Sequence, residues 1–240
     1  MTIAWRAVPA SASLSIAAVA DQVGKVELPD PVVLVPDLRE ALAEVVDPRQ
    51  RRGVRHGLVV VLTAAVCAVV SGARSLVAVA EWVADLPDDL AVAVGVDRRC
   101  PSESTIRRLL TTVDADRFDV VLGGFVQRLC TTTAQAGRRR VLAVDGKSVR
   151  GSRHTGSDGA QIPGRHLLAV IDQRSRIVLG QVAVDAKAGE INRFTPLLDT
   201  LTRLDLAGTV ITADALHTQR EHVADLHARG AHWVLTVKGP

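Results

Sequence analysis

The chain has 240 residues, enough for one large domain or two small ones with a sizeable core. Apolar residues make up 48% of it and charged residues 23%, a balance that excludes disorder and does not by itself make a membrane protein. The net charge of +3 is too small to argue for a nucleic-acid partner alone, although the basic residues cluster in "RQRRGVRH" (49–56), "RRR" (138–140) and "RGSRH" (150–154).

Residues 1–36 carry Pro9, Pro29, Pro31 and Pro36 without a sustained period, which predicts a loosely ordered arm. The stretch "LSIAAVAD" within it faintly resembles a signal peptide, but its apolar part is short and broken by Ser11, Ser13 and Ser15, so export is not expected. Asp37 and Glu40 form a capping box for a short helix ending before Pro48. "GLVVVLTAAVCAVVSG" (57–72) falls short of the roughly 20 residues a membrane span needs, so a buried helix and no membrane partner are expected. Leu76, Val79, Ala80, Val83 and Leu86 mark one face of the next helix, which Pro87 ends. Ser102 caps a short helix and Asp114 a longer one, whose stripe is Phe118, Val121, Leu122, Phe125, Val126 and Leu129. Residues 37–137 therefore read as an all-helical domain, with Gly137 and the three arginines after it as the boundary.

Beyond Arg140 the pattern turns strand-like. "VLAVD" (141–145), "HLLAVID" (166–172), "RIVLGQVAVD" (176–185), "TVITAD" (209–214) and "HWVLTVK" (232–238) are short, β-branched and bounded by turn residues. A helix started by Thr195 and Pro196 precedes the fourth strand, and one capped by Thr218 and Glu221 precedes the fifth. The order βββαβαβ predicts an α/β domain over 138–240, with an antiparallel meander followed by parallel crossovers. Cys67, Cys100 and Cys130 form no CxxC pair, which argues against a disulfide framework or a zinc site and for a reducing, cytoplasmic setting. Trp82 and Trp233 are expected in the core.

If strand four lies beside and parallel to strand one, Asp145 and Asp214 end neighbouring strands, about 4.8 Å apart. Two such carboxylates repel unless a cation separates them, and Mg²⁺ accepts one or two carboxylates and completes its shell with water and phosphate oxygens. Gly146 would let a phosphate backbone approach, and Lys147 would offset its charge. The competing reading is that "VDGKS" is a hairpin turn.

"VDGKSVRGS", "HLLAVID", "GQVAVDAKAGEINRFTPLL", "VITADALHTQ" and "HWVLTVKG" resemble, in order and spacing, the catalytic region of the ISAs1 family of insertion-sequence transposases, within the IS4-like DDE group. "DPRQRRGVRHGLVVVLTAAVCAVVSGARSLVAVAEW" and "CPSESTIRRLL" resemble the helical domain that precedes it there. The resemblance implies a ribonuclease-H-like mixed sheet, DNA as partner, and cleavage and transfer of transposon ends with Mg²⁺ or Mn²⁺ in a two-metal site. It matches Asp145 to the first acidic residue of the family and Asp214 to the second. The third, a glutamate, belongs on a helix beyond the strand ending at Lys238, so an incomplete catalytic domain with little or no strand transfer is expected. The alternative is a non-catalytic DNA-binding remnant or regulator of transposition.

Among other acids, Asp185 is expected about 10 Å from Asp145 across strand two. Asp172 is expected at the opposite edge, and Glu221 reads as a cap. Glu190, in a loop that could fold inward, is the best substitute for the missing acid. Lys147, Arg150, His217 and Lys238 are expected to meet DNA near the site, and Arg107 and Arg108 to do so from the helical domain, against the simpler reading of a solvated helix face. A homo-oligomer on DNA is a further expectation.

Overall fold

The computed structural model describes residues 31–50, 54–97, 99–132, 139–149, 152–155, 159–162, 164–184 and 189–237. These fall into two compact units that divide between Phe125 and Val126.

The first unit is helical: α1 (Pro31–Leu42), α2 (Leu58–Val70), α3 (Leu76–Ala84), α4 (Asp88–Val94), α5 (Glu103–Leu110) and the first part of α6 (Ala115–Thr132). α1 takes in the end of the expected arm, and Asp37 lies inside it rather than capping it. The cause is a stripe at helical spacing, Val35, Leu38, Ala41 and Leu42, whose burial outweighs the break in bonding at Pro36. Val35 packs in one cluster with Ala64, Val83, Val94 and Val96, and Trp82 is half-buried against it. The sequence reading missed α4, which is too short to show a period. It follows Pro87, carries Asp88 and Asp89 in its first turn where the helix dipole favours them, and ends at Gly95 with φ +85°. Arg39 Nη1 donates to Ala93 O (3.2 Å) at that end. The expected caps of the next two helices are present: Ser102 Oγ accepts from Thr105 N (3.4 Å) and Asp114 Oδ1 from Arg117 N (3.0 Å).

The second unit is built on a five-stranded sheet, with β1 (Val141–Ser148), β4 (His166–Asp172), β5 (Val178–Val184), β6 (Val210–Ala213) and β7 (His232–Leu235). A two-stranded hairpin, β2 (His154–Thr155) with β3 (Gln161–Ile162), intervenes after β1. The order across the main sheet is β5-β4-β1-β6-β7, and β4 alone runs antiparallel to the rest. Three meandering strands followed by two parallel crossovers, with strand one in the middle, is the ribonuclease-H-like arrangement.

Alternation sorts β1 cleanly. Leu142 and Val144 face a core with Leu168, Val170, Ile211 and Ala213, covered by α7 (Glu190–Asp199) through Phe194, Leu197 and Leu198 and by α8 (Arg220–Ala228) through Leu226. The buried Gln127 of α6 ties this layer together. Its Nε2 donates to Leu179 O (2.8 Å) and Thr200 O (3.1 Å), and its Oε1 accepts from Arg203 N (3.1 Å).

Four local expectations need correction. β1 does not turn after Asp145 but stays paired with β4 as far as Ser148 opposite His166, so "VDGKS" is strand and not hairpin turn. α7 begins at Glu190, with Pro196 inside it, because Phe194 is fully buried and the proline stands on the exposed side. Thr218 caps nothing: its hydroxyl donates to Thr236 O (2.7 Å), and Gln219 is the N-cap of α8 with its side chain donating back to Leu216 O (3.1 Å) rather than capping the helix. Trp233 is not a core residue. It is 36% exposed on β7, with its edge against His227.

Candidate active site at the carboxyl edge of the sheet

β1 and β6 run parallel, with Val144 opposite Ala213. The next residue on each strand is an aspartate, Asp145 and Asp214, so the two carboxylates follow one register pair on adjacent strands, about 4.8 Å apart. Since side chains alternate along β1, Asp145 leaves the sheet on the face opposite Val144 and Gly146, and Asp214 directly follows Ala213, the last residue of β6. The Asp145 side chain is 68% exposed and its Oδ2 lies 3.1 Å from Lys147 Nζ, on the same face two residues on. Asp214 is also exposed, and its Oδ1 accepts from Leu216 N (3.0 Å), capping the 3₁₀ turn Ala215–His217. An open pair of carboxylates suits one hard divalent ion whose remaining ligands are water and phosphate. Among the described residues, no group of three or more His, Cys, Asp or Glu is arranged to hold a metal.

Asp172 sits at the other end of the sheet, opposite Leu142. It closes the β4–β5 turn by accepting from Arg174 N (2.9 Å) and Ser175 N (3.1 Å), with Arg140 Nε 3.4 Å away. Its burial thus has a structural cause.

Glu190 is not in a loop. It is the first residue of α7, 4% exposed, and it joins two histidines rather than the two aspartates. His166 Nε2 donates to its Oε1 (2.5 Å), and His217 Nε2 lies 3.8 Å from its Oε2. Ser148 Oγ is 3.0 Å from His166 Nδ1. The Glu190 carboxylate is pressed against Gly146, where an added Cβ would fall 2.6–2.7 Å from its three terminal atoms. Gly146 is therefore small so that Glu190 can approach it, and not to admit a phosphate. This cluster lies on the Gly146 side of β1, the face opposite Asp145.

His217 is 1% exposed, which leaves it no surface to offer DNA, contrary to expectation. Its ring is flanked by Phe194 (5.1 Å between centroids) and His222 (5.7 Å), and Phe194 stacks on His222 (4.3 Å). Burial holds the His217 imidazole below its ordinary pKa, while the carboxylates of Asp214, Glu190 and Asp145 pull in the opposite direction. His222 is fixed through its ring nitrogens, which face His217 O (3.1 Å) and Ile191 O (2.9 Å).

Arg107 and Arg108 lie exposed on α5 of the first unit. Arg107 is ion-paired with Glu103, and Arg108 Nε donates to Ser104 O (3.2 Å). Arg150, Lys238 and Asp185 lie outside the described residues. The sequence reading missed His166 and the Glu190 pairings. Local sequence carries no sign of them, because the partners are separated by 24 positions or more.

Residues 39–126 match the family described as DDE_Tnp_1-associated, and residues 136–240 match the Transposase DDE domain. YncI of Escherichia coli O157:H7, named as a transposase, is 28% identical over 205 residues, which is 85% of this chain and 50% of that protein. YncI of strain K12, similarly named, is 29% identical over 193 residues, covering 80% of this chain and 74% of its own. An uncharacterized protein from the dhlA 3′ region of Xanthobacter autotrophicus is 30% identical over 209 residues, covering 86% of this chain and 67% of its own. The chain thus spans between half and three quarters of the length of these relatives. With both halves matched in order, the chain belongs to the DDE-type transposase family.

Proposed function

We propose that the protein acts on the DNA ends of an insertion sequence as a DDE transposase, with Asp145 and Asp214 as the acids that hold Mg²⁺ or Mn²⁺. The observation that carries this reading is the register of Val144 with Ala213, which sets the two aspartates at adjacent positions on parallel strands. Asp145 and Asp214 would hold the ion, which would supply Lewis-acid activation of a phosphodiester. Lys147 on the same face, with Arg150 and Lys238 from the sequence, is assigned to the nearby phosphates, and Arg107 and Arg108 to DNA contacts made by the helical unit. A homo-oligomer on DNA and a cytoplasmic setting belong to the same proposal. No helix of the described residues is long and apolar enough to cross a membrane.

The resemblance calls for three acids, and the described residues offer two at this edge. Glu190 is not assigned as the third, because its carboxylate faces two histidines on the far side of β1. Strand transfer by these residues alone is therefore expected to be weak, and a DNA-binding role without cleavage is the second reading. Incubation with element-end DNA and Mg²⁺ or Mn²⁺ separates the two. Nicking abolished in Asp145→Asn supports the enzyme. Salt-dependent binding that persists in Asp145→Asn and Asp214→Asn without any nicking supports the binder.

A further inference from the structure

We propose that Glu190 is a positioning residue whose buried carboxylate, bracketed by His166 and His217, fixes the backbone segments that carry Asp145 and Asp214 relative to each other. The inference rests on the functional reading of those two aspartates and gives Glu190 a role distinct from metal ligation.

The Glu190 carboxylate meets segments of both β1 and the turn after β6. On one side it lies against Gly146, the residue directly after Asp145, at a distance that no side chain larger than glycine would leave. Its Oε1 also takes His166 of β4, whose other ring nitrogen meets Ser148 of β1, so the β1 segment beyond Asp145 is held from two points. On the other side Oε2 faces His217, the last residue of the turn that Asp214 itself caps. Phe194, one turn along the same helix, supports the ring of His217. One carboxylate thus lies between the β1 backbone just beyond Asp145 and the ring of His217, three residues beyond Asp214.

Alternation explains why this brace leaves the acids free. Gly146 faces Glu190, so Asp145 must face away from it, toward the exposed side. His217 Nδ1 is buried and has no hydrogen-bond partner among the described residues, so the ring is held chiefly by packing and by its approach to Glu190. Such supporting groups around metal-binding carboxylates commonly change metal affinity by about 10–100-fold when removed.

The test is Mn²⁺ binding to the whole chain, followed by electron paramagnetic resonance, in the wild type and in Glu190→Gln, His217→Gln and Asp145→Asn, with circular dichroism confirming the fold. Glu190→Gln keeps the shape of the side chain and removes its charge. The expected result is loss of binding in Asp145→Asn and a Kd raised about tenfold or more in folded Glu190→Gln. Wild-type affinity in folded Glu190→Gln, with Asp145→Asn still defective, would overturn the positioning role and leave the functional reading intact. Undiminished binding in Asp145→Asn would overturn both. If Glu190→Gln does not fold, His217→Gln decides by the same criterion, and failure of both to fold would reduce Glu190 to a structural residue and overturn the proposal.

Discussion

Gly146→Ala puts the packing beneath the site to a quantitative test. The added methyl would arrive 2.6–2.7 Å from the Oε2, Cδ and Oε1 atoms of Glu190 and needs roughly 1 Å more to reach ordinary contact. An exposed glutamate would swing aside at little cost. Glu190 is 4% exposed and bonded to His166, so movement strains the packing and weakens that bond. Overpacking of this kind costs about 1–3 kcal/mol, and a hydrogen bond to a charged group contributes about 1.5–3 kcal/mol when lost entirely. With partial loss the expected destabilisation is about 2–4 kcal/mol, read as a shift in urea midpoint at unchanged m-value. The informative comparison is a double-mutant cycle with Glu190→Ala. Removing the carboxylate first should lower the cost of Gly146→Ala to below about 0.5 kcal/mol, a coupling well above the error of additivity. Equal costs in the two backgrounds would refute the contact.

Gln127→Leu should destabilise the second unit by about 2–4 kcal/mol, because Leu179 O, Thr200 O and Arg203 N lose a buried partner together; a change under about 0.5 kcal/mol in a denaturant titration would contradict the role given to this amide. Burial depresses the His217 pKa in the folded chain, so the native state binds a proton there less readily than the unfolded state. The stability contributed by the neutral ring is full above the unfolded value of 6.5 and is lost as pH falls below it through the folded value. Urea midpoints at pH 7.5 and 5.5 should therefore fall more on acidification in the wild type than in His217→Gln, and equal falls would contradict this.

The sheet was legible in the sequence because its strands are short apolar runs ended by turn residues, and because meander and crossover rules leave few ways to arrange them. The adjacency of Asp145 and Asp214 followed from that topology. The extent of β1 did not, since Asp145-Gly146-Lys147 has turn chemistry and only its pairing with Leu167, Leu168 and Ala169 keeps it extended. The start of α7 was misplaced for a related reason. Thr195 and Pro196 make a good local start signal, but the burial of Phe194 and Glu190 upstream extends the helix past it. The sequence offered His217 as a surface histidine and Glu190 as a loop acid because burial and partnership are tertiary properties. Both residues acquire their roles only when β1, β4, the turn after β6 and α7 converge.

Whether Asp145 and Asp214 jointly hold a divalent ion can be read from anomalous scattering by crystals of the chain grown with Mn²⁺ and element-end DNA. The expected result is a metal peak bounded by the carboxylate oxygens of both residues at the carboxyl ends of β1 and β6. A metal bound elsewhere, or carboxylates turned away from each other with no peak between them, would contradict it.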